Sequence, residues 1–99
     1  MPEVLDPAAV DAALADRAIR WQREGSELVK KVRRQGFAGA LAFVNQVGVL
    51  AEQADHHPDI DIRWDTVTLR LSTHSAGGLT EKDLSLAAAI ESLRAALLE

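Results

Sequence analysis

The sequence predicts an α+β fold: a two-layer, four-stranded antiparallel sheet with three helices on one face, in the order α-β-β-α-β-β-α. Three observations lead there. Segments 19–33 and 60–72 alternate apolar and polar residues on either side of a short reversal, as hairpins do. Three other stretches repeat apolar residues at helical spacing and are bounded by capping residues or proline. Finally, 99 residues fit a single domain, 1–99, so both layers share one core.

Taken in order, Asp6-Pro7 reads as an N-cap followed by proline at the first helical position. Leu5 and Val10 are spaced as a hydrophobic staple, and Val10 and Leu14 continue one face, so a helix runs from Pro7 to about Asp16. Ile19-Arg20-Trp21-Gln22 alternates as a strand, Glu24-Gly25-Ser26 turns, and Leu28 to Arg33 returns, with Leu28-Val29 blurring the alternation. Gln35 to Ala54 is the longest helical stretch. At about 100° per residue, Phe37, Leu41, Val44, Gly48 and Ala51 share one face, with Phe43, Val47, Leu50 and Ala54 beside them. An apolar arc this wide implies either a core helix touching two neighbours or a contact between subunits. Pro58 disfavours helical geometry at His57 and ends the helix. Ile60, Ile62 and Trp64 alternate with Asp61 and Arg63, the chain reverses near Asp65, and Val67, Leu69 and Leu71 alternate with Thr68, Arg70 and Ser72. After the loop His74-Ser75-Ala76-Gly77-Gly78, Thr80-x-x-Asp83 resembles a capping box and opens a helix with Leu86, Ile90, Leu93 and Leu97 on one face.

Composition narrows the function. Lys plus Arg is 11 and Asp plus Glu is 15, a formal charge of −4, which argues against a nucleic-acid surface. No cysteine is present, which excludes disulfides, thiolate metal sites and cysteine nucleophiles. No run approaches the about 18 to 20 apolar residues of a membrane span, and the start lacks the pattern of a secretory signal, so a cytoplasmic protein without membrane contact is expected. The apolar content leans on alanine, with only Trp21, Phe37, Phe43 and Trp64 aromatic, so a homo-oligomer, dimer or tetramer, is expected to complete the buried surface.

The chemistry left is carried by His56, His57 and His74. All three lie in junction segments, where a site can be built without disturbing a core. His56 and His57 at a helix C-terminus also suit simple capping, worth about 0.3–1 kcal/mol. A zinc site lacks the paired i, i+4 histidines of helical metal sites, and Ser72 and Ser75 sit in no nucleophile elbow. Acid–base work fits imidazole best, since it titrates at about 6.5 unperturbed.

Two segments carry a resemblance. Ala51-Glu52-Gln53-Ala54-Asp55-His56-His57-Pro58 and Leu71-Ser72-Thr73-His74-Ser75-Ala76-Gly77-Gly78-Leu79-Thr80-Glu81-Lys82-Asp83 resemble the paired motifs of the pterin-4a-carbinolamine dehydratases. Trp21 falls where that family places an N-terminal tryptophan. The resemblance runs from about Ile19 to the C-terminus, and departs from the family in the aromatic-poor Val32–Phe37 and in Trp64, often a tyrosine there. It implies the same fold and the loss of water from 4a-hydroxytetrahydrobiopterin or a related 4a-hydroxytetrahydropterin, with no metal and no cofactor. It also implies that His56, His57 and His74 are the catalytic set, with His56 and His74 as acid and base and His57 holding substrate. Asp55, Ser72 and Thr73 would contact the pterin's amide and amino groups, and Trp21 would stack on the ring or lie buried. Glu52 and Asp83 would orient a histidine or bind the pterin edge, and stabilisation of a helix N-terminus is an equal role for Asp83. The resemblance also implies that some relatives act in addition as dimerisation partners of a transcription factor, and others as assembly factors, which leaves a non-catalytic interaction module as the alternative.

Overall fold

The computed structural model describes residues 3–96, and their side chains through residue 93. The order is α1 (Pro7–Asp16), β1 (Gln22–Glu24), β2 (Glu27–Arg33), α2 (Gly36–Ala54), β3 (Asp59–Arg63), β4 (Thr66–Leu71) and α3 (Glu81–Ala96). The strands form one antiparallel sheet in the order β1-β2-β4-β3, so the two hairpins meet through β2 and β4. Both hairpins close over two residues, the first with positive φ: Gly25 at 62° and Trp64 at 56°. Glycine takes that conformation freely, whereas tryptophan does so at a steric cost.

The core lies between the sheet and the helices. Leu28, Val32, Val67, Leu69 and Leu71 supply the sheet side. Val10 and Leu14 of α1, Ala40, Phe43, Val47 and Ala51 of α2, and Leu84, Leu86, Ala87 and Ile90 of α3 supply the helical side. Leu28 and Val29 are both buried because Leu28 faces this core while Val29 lies on the other face, beside its cross-strand partners Gln22 and Arg70. The second stripe of α2 enters the core at Phe43 and Val47, while Phe37 and Leu41 of the first are 48% and 42% exposed.

Three local expectations change. The first strand is Gln22–Glu24, not Ile19–Gln22. Ile19 and Trp21 alternate because both enter the core, but Ala18 has a φ of 55° and the Ile19 N–H donates to Leu14 O, so this segment is still leaving α1. The Lys30 ammonium bonds the Arg20 carbonyl. Trp64 belongs to the turn, not to β3, and is 69% exposed. Asp6 occupies the N-cap position with extended geometry, but its side chain makes no capping hydrogen bond. Leu97 of the last predicted face lies outside the described residues.

Candidate active site

The last turn of α2 builds one wall. Asp55 adopts the left-handed conformation (φ 50°, ψ 44°) as C-cap, and the His56 N–H donates to Ala51 O at 3.1 Å. The helix therefore breaks at Asp55, two residues before the His57 position that Pro58 restricts. Aspartate tolerates this geometry better than most residues, which lets the chain turn sharply.

The turn separates the two adjacent histidines. His56 points inward, where its Nε2 lies 2.6 Å from Asp83 Oδ1 at the start of α3. His57 points outward, where its Nε2 lies 2.6 Å from Glu52 Oε2, and both members of that pair are exposed. Two imidazole–carboxylate pairs thus flank the same helix end, one buried and one wet.

Asp83 is 0% exposed and fully used. Its Oδ2 accepts the Thr80 N–H at 2.9 Å and the Thr73 hydroxyl at 2.7 Å. The Thr80 bond is one half of a capping box, and the Lys82 N–H donating to Thr80 Oγ1 at 3.2 Å satisfies another amide of the first turn. Asp83 therefore caps α3 with one oxygen and holds His56 with the other, so its two sequence-level roles coexist.

The β4–α3 loop brings the second motif to this point. Thr73 continues the buried side of β4 and bridges to Gly78, while its carbonyl accepts the amides of Ala76 and Gly77. Gly77 has a φ of 78°, which tightens the loop. His74 follows directly, exposed, its imidazole without a hydrogen-bond partner among the described residues. Ser72 is half-buried and Asp55 exposed. Trp21 lies in the core at 5% exposure, its indole N–H buried without an acceptor among the described residues.

Of the sequence-predicted residues, the structure joins His56, Asp83 and Thr73 in one network, with His74 next along the chain, and pairs His57 with Glu52 separately. An open groove of about 430 Å³ runs between α2 and α3, walled by His56, Leu50, Ala54, Leu86, Gln53 and Lys82. Sequence reasoning identified Thr80 only as a cap and did not single out the groove residues Gln53 and Lys82. The signal for Thr80 was the Thr80-x-x-Asp83 spacing itself, read as a local motif. Among the described residues no group of three or more His, Asp or Glu side chains is placed to hold a metal ion, and no helix is long and apolar enough to cross a membrane.

Comparison with known proteins is consistent across sequence and structure. The family described as Pterin 4 alpha carbinolamine dehydratase matches residues 3–93. A provisionally named pterin-4-alpha-carbinolamine dehydratase of Roseiflexus castenholzii is 50% identical over 93 residues, 94% of this chain and 99% of that protein. One of the same provisional name from Chloroflexus aurantiacus is 52% identical over 89 residues, 90% of this chain and 95% of its own. The crystal structure of a transcriptional coactivator/pterin dehydratase from Brucella melitensis superposes with a TM-score of 0.82 at 29% identity, covering 91% of this chain and 97% of that one. A pterin dehydratase-like protein identified as a RuBisCO assembly factor in the alpha-carboxysome gives a TM-score of 0.59 at 25% identity, over 75% of this chain and 86% of that one.

Proposed function

This chain belongs to the pterin-4-alpha-carbinolamine dehydratase family, and from that premise we propose that it removes water from 4a-hydroxytetrahydrobiopterin or a related 4a-hydroxytetrahydropterin. The product is the quinonoid dihydropterin, and the role is recycling of a reduced pterin in the cytoplasm. The observation that carries this reading is the His56–Asp83 pair: an imidazole at the wall of an open groove, held from behind by a buried carboxylate.

Hydroxide is a poor leaving group, so the C4a oxygen must be protonated as the C4a–O bond breaks. An imidazolium supplies that proton, and water departs. The lone pair on the neighbouring ring nitrogen, N5, forms the C4a=N5 bond, and a neutral imidazole takes the N5 proton. One proton is given and one received, so the two histidines together end unchanged in charge. Each positioned transfer typically contributes about 10²–10⁴-fold. His56 and His74 carry these transfers, and His57, steadied by Glu52, holds the substrate. Asp55 and Ser72 are assigned to the pterin's polar edge by the family resemblance. These proton transfers call for no metal or cofactor.

The test is dehydration of chemically prepared 4a-hydroxytetrahydropterin by the purified protein. His56→Ala and His74→Ala should each lose most of the rate while remaining folded. Wild-type rates in both variants would overturn the assignment.

A second reading, a protein-interaction module, draws support from the surface. Phe37 and Leu41 on α2, and Ile60 (40% exposed) on β3, leave apolar area uncovered. The names of the two structural relatives, coactivator and assembly factor, point the same way. Self-association into a homodimer or homotetramer would cover this area in the enzyme, and light scattering on the purified chain tests it. A stoichiometric foreign partner together with no dehydration would favour the second reading.

A further inference from the structure

We propose that Thr80 and Thr73 are positioning residues for His56, and that a one-way hydrogen-bond chain from the start of α3 determines which imidazole nitrogen exchanges protons. Its kinetic arm rests on the dehydratase reading; its structural arm does not.

The direction follows from counting hydrogens. A carboxylate only accepts, so Thr73 gives its single hydroxyl hydrogen to Asp83 Oδ2, 2.7 Å away. Thr73 Oγ1 also lies 2.8 Å from Thr80 Oγ1, and with its own hydrogen committed it can only accept there. Thr80 is therefore the donor in that contact. The Thr80 oxygen in turn accepts the Lys82 N–H, one of the amides a helix leaves free at its N-terminus. The order is Lys82 N–H, Thr80 hydroxyl, Thr73 hydroxyl, Asp83. The Thr80 N–H adds a second donor to the same carboxylate oxygen.

Thr73, Thr80 and Asp83 are all buried, so water does not compete for these bonds. Successive hydrogen bonds in such a setting polarise one another. With Oδ2 doubly occupied, Oδ1 is the oxygen turned to His56 Nε2 at 2.6 Å. Nε2 must then carry a hydrogen in the neutral ring as well as in the protonated one. The nitrogen that gains and loses a proton is Nδ1. His57 has no such backing: the Glu52 carboxylate that meets it is exposed and accepts no other hydrogen bond among the described residues.

The experiment uses the full chain with 15N-labelled histidine, His56 being assigned by its loss in His56→Gln. With the ring neutral, Nε2 is expected to read as N–H and Nδ1 as the bare nitrogen. Thr80→Val removes the first hydroxyl at nearly constant volume. It should speed exchange of the Nε2 proton with water and lower kcat for 4a-hydroxytetrahydrobiopterin, each by roughly tenfold, with KM within about twofold. Thr80→Ser should restore both. Thr73→Val, which breaks the same link from the other side and removes a donor to Asp83, should have the larger effect, and it carries the test if Thr80→Val does not fold. A wild-type ring with its hydrogen on Nδ1, or threonine variants with unchanged proton exchange and kcat, overturns the proposal. If the wild-type chain does not dehydrate the substrate, the functional reading fails, and the tautomer and proton exchange alone decide whether the relay holds.

Discussion

Replacing Asp83 tests how far the fold and the site depend on the same carboxylate. Asp83→Ala removes the acceptor for three donors: the Thr80 N–H, the Thr73 hydroxyl and His56 Nε2. The Thr73 hydroxyl can turn to Thr80 Oγ1, 2.8 Å away, only by displacing the hydrogen that Thr80 donates there, so one buried hydroxyl hydrogen is left without an acceptor, at about 1 kcal/mol. The Thr80 amide has no other acceptor within reach, and a buried unsatisfied donor costs about 1–3 kcal/mol. His56, partly open to the groove, adds about 1 kcal/mol. The expected loss is therefore about 4 kcal/mol, against the roughly 5–15 kcal/mol by which domains of this size are stable.

Asp83→Asn should behave differently. Its carbonyl can keep both Thr80 and Thr73, and its amide then faces His56 Nε2 as a donor. The ring must accept there, so its hydrogen moves to Nδ1, and the catalytic nitrogen becomes the wrong one. We expect Asn to cost only about 1 kcal/mol of stability, the difference between a charge-assisted and a neutral hydrogen bond. Its dehydration rate should nevertheless fall as far as that of Asp83→Ala. Urea unfolding at fixed protein concentration, followed by fluorescence of the buried Trp21, measures the first quantity, and the dehydration assay measures the second. The reasoning is refuted if Asp83→Ala loses less than about 1 kcal/mol, or if Asp83→Asn keeps most of its activity.

Three further outcomes follow from local geometry. Arg17 grips Glu81 with two hydrogen bonds of 2.6 and 3.1 Å, tying the end of α1 to the start of α3. First of all through the Arg17 bond, and against a smaller opposing effect of burial, the Glu81 carboxyl is held below the usual glutamate range. A lowered folded pKa means that this contribution is complete above the unfolded value and is lost as pH falls through the folded one. The stability gap between wild type and Glu81→Gln should thus be present at neutral pH and close on acidification. Trp64→Asn should raise stability by about 0.5–1 kcal/mol, because asparagine tolerates the left-handed turn and the exposed indole gives up little; thermal melts check it. Gly78→Ala would place a methyl group 2.9 Å from Val4 Cγ1, the tip of an exposed side chain that can rotate away, so the cost should stay below about 1 kcal/mol and vanish in a Val4→Ala background.

Local patterns made much of this fold legible. Alternation along Val67, Leu69 and Leu71 marks the core face of β4, because a strand's side chains change face at every residue. Asp6-Pro7 places the start of α1, since proline suits the first helical turn. The same logic misplaced β1: burial of Ile19 and Trp21 creates an alternation that no ladder of hydrogen bonds supports. Trp64 also read as a strand residue, because periodicity carries no information about a positive φ.

The site divides along the same line. The sequence by itself determined which groups are available, three histidines and nearby carboxylates with no cysteine, and it marked Thr80-x-x-Asp83 as a cap. Only the tertiary structure decided that adjacent His56 and His57 go to different carboxylates, and that the cap of α3 is also the support of His56. The physical reason is distance along the chain. Asp83 lies 27 residues beyond His56, and only the left-handed break at Asp55 and the packing of α2 against α3 bring the two within 2.6 Å.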